Sequence, residues 1–185
     1  MGYVVAAVLG YVLGSIPVAL LVARRHGVDL YRTGDGNPGA WNALEQLGAR
    51  RALPAFLGDA AKGLVSAVLG MAFAGWWGGF AGVAAAMVGH AFPLYTGFRG
   101  GKAVMTFVGG SLALAPWAGA VCLALCLATS LIFSFRWGAR VGVFAFPAVQ
   151  LATDPVAHVM ATGALMTLIG ALFLLQPRRT SQLQH

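Results

Sequence analysis

Long stretches without charge decide most of what this chain can become. No Asp, Glu, Lys or Arg occurs from Gly63 to Phe98 or from Ala103 to Phe135, and only Asp154 is charged between Val141 and Gln176. A further apolar run, residues 2 to 23, precedes the basic pair Arg24-Arg25. Soluble domains are about a quarter charged; this chain is 9% charged and 59% hydrophobic over 185 residues. A segment crossing a bilayer needs about 20 mostly apolar residues and must satisfy its backbone polar groups internally. The sequence therefore predicts an all-α integral membrane protein folded as a single domain, residues 1–185, with a disordered tail over residues 177–185.

Turn signals divide the long runs. "GWWGG" at 75–79 separates spans near residues 55–75 and 78–96, "APWAG" at 115–119 separates two shorter ones, and "TDP" at 153–155 marks the last turn. With residues 2 to 23 as the first, the prediction is a bundle of seven transmembrane helices. Basic residues fall in every second connection: Arg24, Arg25, Arg32, Arg50 and Arg51, then Arg99 and Lys102, then Arg136 and Arg140, then Arg178 and Arg179. The turns around Trp76-Trp77, Trp117 and Asp154 hold none. Because cytoplasmic loops carry the Lys/Arg excess, the N-terminus is expected outside and the C-terminus in the cytoplasm. The same rule absorbs the net charge of +7 without nucleic acid as a partner. Residues 1 to 23 lack a basic leader, so a retained span is expected rather than a cleaved signal.

Packing accounts for many of the small residues. Gly78 with Gly82, and Gly163 with Gly170, are expected to let helices approach closely. Cys122 and Cys126, four apart in an uncharged run, are expected to act as small buried hydrophobes. Trp76, Trp77 and Trp117 fit an interfacial aromatic belt.

Three polar stretches call for another reason. "RTGDGNPGAWN" at 32–42 carries glycines whose backbone freedom suits an anion-binding nest, with Asn37 and Asn42 as side-chain donors; it is also an ordinary turn composition. "LGDAAKG" at 57–63 puts Asp59 and Lys62 three apart on one helix face, either as a mutual ion pair at the membrane edge or with Asp59 orienting Lys62 toward a cavity. "GHAFPLYTGFRGGKAVMT" at 89–106 joins His90, a helix-ending Pro93, and the turn Arg99-Gly100-Gly101-Lys102 before an apolar run. Amide donors, a helix N-terminus and two cations together suit phosphate. Walker spacing is absent, so ATP use does not follow. Two such loops on one side of a small helical protein suggest a lipid-type substrate, with a phosphate head at the membrane and a tail within it.

Taken together, "GSIP" at 14–17, "GDGNPGAWN" at 34–42, "DAAKG" at 59–63 and "GHAFPLYTGFRGGKAV" at 89–104 resemble the bacterial acyl-phosphate-dependent glycerol-3-phosphate acyltransferases, the PlsY type. The resemblance implies a seven-span cell-membrane enzyme with its site on the cytoplasmic side. It would transfer a fatty acyl group from acyl phosphate to the 1-hydroxyl of glycerol 3-phosphate, giving lysophosphatidic acid for phospholipid synthesis. No metal or cofactor is implied; the partners are the two substrates and membrane lipids. Carried over by position, the site comprises Gly36, Asn37, Asn42, Asp59, Lys62, His90, Arg99, Gly100, Gly101, Lys102 and Arg136. Arg99, Lys102 and the surrounding amides would hold phosphate, and Asn37 and Asn42 would orient the acceptor. His90 would be a general base or a hydrogen-bonded helix cap. The chain departs from the family pattern at Asp35, where serine is usual, at Trp41 for threonine, at Ala103 for glycine and at Ala139 for serine. "QPRRTSQLQH" does not match the family's basic, histidine-bearing C-terminal segment. These departures favour an alternative: a degenerate member that binds or transports a phosphorylated lipid or metabolite without acyl transfer.

Overall fold

A computed structural model of the chain describes residues 1–175; the predicted tail disorder, Arg178, Arg179 and His185 lie outside them. The elements are helical: α1 (Gly2–Gly14), α2 (Val18–Arg25), α3 (Ala40–Leu47), α4 (Ala49–Ala91), α5 (Val104–Leu114), α6 (Pro116–Ile132), α7 (Phe135–Leu151) and α8 (Val156–Leu175), with a 3-10 turn over Leu94–Thr96. Among the described residues three helical stretches are long and apolar enough to cross a membrane: Gly2–Arg25, Ala49–Thr96 and Val156–Leu175. Large side chains such as Leu131, Phe144 and Leu174 stand well exposed on the helix surfaces, as a lipid-facing rim requires.

Two breaks follow the sequence reading. Within α4 the chain leaves helical geometry at Ala74 and Gly75, the latter at φ 62°, a left-handed value that glycine takes without strain. The two halves then lie against each other, so closely that a side chain on Gly70 would strike the carbonyl of Gly78. The expected break at 115–119 appears between α5 and α6, where Pro116 opens the new helix.

Two features were not expected. The first apolar run is not one helix, because Pro17 has no N–H to donate back and its ring clashes with the preceding turn. Ser15 and Ile16 end α1 by donating to Tyr11 and Leu13, and α2 starts anew at Val18. The connection 24–52 also contains a helix, α3, which buries Ala40, Asn42 and Ala43. Ala19, Leu20 and Ala23 of α2, Leu30, and Ala52 and Ala55 of α4 complete a small core of their own with it. A larger core, including Val83, Met87, Phe107, Leu114, Phe146, Leu165 and Leu172, joins α4 to the later helices.

The glycine expectations divide. Gly82 does sit against the Ser66 carbonyl, and Gly78 against Gly70. Gly163 and Gly170 are not packing sites: among the described residues a side chain at either would meet nothing within 4 Å. Helix α8 turns Leu165 and Leu172 to the core, so these glycines lie on its other faces. Cys122 is buried as expected and Cys126 half-buried, both free thiols.

Cross-links between connections gather at two places. Trp76 donates its indole N–H to the Leu114 carbonyl at 2.9 Å and stacks on His158 with ring centres 3.6 Å apart, drawing together the α4 break, the α5–α6 turn and the start of α8. Elsewhere the Tyr31 hydroxyl donates to the Arg99 carbonyl at 2.7 Å, and Arg136 meets Glu45 at 3.2 Å. The basic connections thus touch one another, and so do the turns without basic residues.

Candidate active site

The break at Pro17 creates the first half of a cleft. Helix α1 ends at Gly14, and just past it the Ile16 carbonyl accepts the Val18 N–H at 3.0 Å and the Lys62 ammonium at 3.1 Å. The same ammonium lies 2.9 Å from Asp59 Oδ1, an ion pair without hydrogen-bond alignment. Both side chains are almost wholly buried, at 5% and 2% exposure. His90 Nδ1 approaches the same carboxylate oxygen at 3.7 Å. Asp59 and Lys62 therefore form the pair expected of them, and folding adds His90 from the far end of α4. A close seam fixes this turn against α5: side chains on Gly63 and Gly109 would strike the carbonyls of Thr106 and Ala60.

The turn 97–103 forms the other wall. Arg99, Gly100 and Gly101 line the cleft with Pro17, Pro38, Asp59, Lys62 and His90. Glycine is required here for close approach: a side chain on Gly100 would strike the His90 carbonyl, and one on Gly101 would lie 2.5 Å from His90 Nε2 and 3.4 Å from the Cα of Gly39. The two glycine-rich loops thus meet over His90. Arg99 is held by Tyr31, whose ring lies 4.6 Å under the guanidinium.

Several expected donors are otherwise engaged. The Gly100 and Gly101 amides donate to the carbonyls of Ala91 and His90, each at 3.1 Å. They pin the turn to the end of α4, leaving the start of α5, whose first internal bond is Phe107 N–H to the Ala103 carbonyl, as the source of unshared amides. Asn42 is buried, and its amide nitrogen donates to the carbonyls of Leu30, Thr33 and Asn37 at 2.9–3.1 Å. It braces the loop that carries Gly36 and Asn37. Asn37 donates its backbone N–H to Asp35 Oδ1 at 3.1 Å. Arg136 meets Glu45 and stands 5.7 Å from the Trp41 ring on the outer side of α3, away from the residues lining the cleft. Lys102 stands 3.9 Å from Asp35 Oδ2. Tyr31, Glu45 and the Ile16 carbonyl were not singled out from the sequence; only Pro17 signalled one of them in advance. Among the described residues no cluster of His, Cys, Asp and Glu is suited to a metal ion.

Comparison with known proteins joins these features. The family model for glycerol-3-phosphate acyltransferase matches residues 4–182. The chain belongs to the glycerol-3-phosphate acyltransferase family. Relatives bearing that name include one from Symbiobacterium thermophilum, 37% identical over 88% of this chain and 83% of its own length. Another, from Thiobacillus denitrificans, is 40% identical over 72% of this chain and 70% of its own. A third, from Rubrobacter xylanophilus, is 46% identical over 61% of this chain, but the match spans only 57% of that protein. The crystal structure of PlsY (YgiH), an integral membrane glycerol 3-phosphate acyltransferase, superposes in its glycerol 3-phosphate form with a TM-score of 0.82, at 26% identity over 95% of this chain and 90% of that one. Its lysophosphatidic acid form gives 0.80, at 25% identity over 98% and 97%.

Within this acyltransferase family the departures acquire positions. Ala103 adopts φ 58° and ψ 13°, the left-handed conformation for which the glycine it replaces has no penalty. Trp41 stacks on Phe135 with ring centres 5.8 Å apart and donates to Glu45 at 2.8 Å, so it fastens α3 to the start of α7. Ala139 is half-buried on α7.

Proposed function

We propose that this chain transfers a fatty acyl group from acyl phosphate to the 1-hydroxyl of glycerol 3-phosphate. The hydroxyl oxygen bonds to the acyl carbon and the carbon–oxygen bond to phosphate breaks. Phosphate leaves with that electron pair, and the hydroxyl proton ends on it. The products are lysophosphatidic acid and inorganic phosphate. Acyl phosphate is already activated, so the enzyme's work is positioning and charge stabilisation.

One observation carries the reading: the cleft where Arg99 and Lys62 face the two glycine-rich loops occurs in a chain whose fold matches an acyltransferase across nearly its whole length. Arg99, Lys102 and the amides opening α5 receive phosphate, Asn37 orients the acceptor, and Gly36 shapes its loop. Asn42, Gly100, Gly101, Asp59 and Lys62 hold these groups in place, and Arg136 fastens α7 to α3 at the rim. His90, wedged between Asp59 and Gly101, acts as a positioning residue beneath the turn. Seven spans of one domain, residues 1–185, with the N-terminus outside and the cleft at the cytoplasmic face of the cell membrane, accord with the grouping of the basic connections.

A second reading, binding without transfer, is favoured by the carboxylate of Asp35 beside Lys102. Purified protein in detergent, given palmitoyl phosphate and labelled glycerol 3-phosphate, separates the two. Labelled lysophosphatidic acid that disappears in Lys102→Ala supports transfer. No product from folded protein at high concentrations of both substrates leaves binding alone. Thiol labelling of single cysteines placed in the Arg99 and Trp77 turns, in sealed membranes, tests the orientation.

A further inference from the structure

Lys102 enters the site already partnered. Its ammonium lies 3.9 Å from Asp35 Oδ2, the two side chains being 13% and 22% exposed. The other Asp35 oxygen accepts the Asn37 N–H at 3.1 Å, and Gly34 and Gly36 on either side take left-handed φ values of 58° and 67°. The loop therefore holds the carboxylate toward the lysine rather than out to water. On its far side Lys102 faces the ring of Phe173, 4.4 Å from the ring centre, which offers no competing anion. Within hydrogen-bonding chemistry an ammonium has three donors but one unit of charge. A phosphate arriving there must displace the carboxylate or bear its repulsion.

We infer that Asp35 is the resting counterion of Lys102 and contends with phosphate for it, so that this one residue sets both the affinity for phosphate-bearing substrate and the ease with which inorganic phosphate leaves. The inference rests on Lys102 as a phosphate ligand, as in the proposed function. It makes Asp35 a specificity-determining residue in place of the serine of the family pattern: a neutral hydroxyl adds a donor to bound phosphate, whereas the carboxylate exchanges with it. A purely structural role for Asp35 is the competing explanation, since Oδ1 also caps the turn at Asn37. Asparagine at 35 separates the two, because it keeps an oxygen for that amide and removes the charge.

The experiment titrates the thermal midpoint of the purified full chain with inorganic phosphate, at ionic strength held constant with chloride. The proteins are the wild type, Asp35→Asn, Asp35→Ala, Lys102→Ala and the Asp35→Asn/Lys102→Ala pair. Removing a carboxylate that sits about 4 Å from the lysine and repels phosphate is expected to lower the half-saturating phosphate concentration about tenfold in Asp35→Asn. Lys102→Ala should remove most of the response in either background. In turnover assays the KM for glycerol 3-phosphate or the inhibition constant of phosphate should fall by the same factor in Asp35→Asn. Equal half-saturation within twofold in wild type and Asp35→Asn overturns the inference, as does tight binding that survives in the paired variant or no phosphate response in any protein. Should Asp35→Asn not fold, Asp35→Ser retains a hydroxyl acceptor and is read the same way. A phosphate response of the expected form in a wild type that makes no lysophosphatidic acid upholds the counterion and refutes acyl transfer. An active wild type with an unchanged response in Asp35→Asn does the reverse.

Discussion

Replacing Lys62 with methionine keeps most of the side-chain length and removes one charge from the centre of the cleft. The wild-type ammonium pairs its charge with Asp59 Oδ1 at 2.9 Å and donates to the Ile16 carbonyl at 3.1 Å, and Asp59 is only 2% exposed. Methionine leaves that carboxylate buried with His90 Nδ1, at 3.7 Å, as the nearest candidate partner. Breaking a buried pair by removing one member costs about 3–5 kcal/mol, far more than replacing both members. For a chain of this size about 1 kcal/mol moves the unfolding midpoint by roughly 2–4 °C. Lys62→Met should thus lower the midpoint by about 10 °C, followed by tryptophan fluorescence or by the surviving monodisperse peak in detergent. The paired variant Asp59→Asn/Lys62→Met, which leaves no buried charge, should recover at least half of that loss. A Lys62→Met protein within about 2 °C of wild type would refute the reasoning. So would a paired variant no better than the single one, because the loss would then lie in packing and the Ile16 carbonyl rather than in the orphaned charge.

Other residues give sharper outcomes for activity. Gly101→Ala forces a methyl onto His90 Nε2 at 2.5 Å, and the displaced turn should lower kcat/KM at least about a hundredfold while the protein still purifies folded. Ala103→Val puts a β-branched residue at φ 58° and should cost about 2 kcal/mol in a thermal or denaturant assay. Ala103→Gly should be nearly neutral, because strain relieved is offset by a lost buried methyl and added chain entropy. Arg136→Ala breaks an exposed pair with Glu45, so stability should change by less than about 1 kcal/mol. Its kcat/KM should fall at least about tenfold less than that of Arg99→Ala, since Arg136 stands outside the cleft lining.

The membrane class, the helical composition and the breaks at Gly75 and Pro116 were legible in the sequence, because they depend on local quantities: the length of uncharged runs and the backbone preferences of glycine and proline. The Asp59–Lys62 pair was legible for the same reason, since three residues along a helix return to one face. Pro17 was equally visible, yet the consequence of its break, an Ile16 carbonyl that accepts from Lys62 46 residues away, belongs to the packing of α1 and α2 on α4. Composition marked Gly100 and Gly101 as phosphate donors; their amides instead hold the turn to the end of α4, donating to the carbonyls of Ala91 and His90.

What the sequence by itself determined, then, is which residues are polar enough to need a reason and which segments cross apolar space. Tertiary structure decided how they pair. It joined Lys102 to Asp35, Tyr31 to Arg99 and Arg136 to Glu45 across separations of 67, 68 and 91 residues. No pattern within one segment encodes such partners. They follow from which helix ends are brought together when the small-residue seams between α1, α4 and α5 close, and closing them is a property of the whole chain.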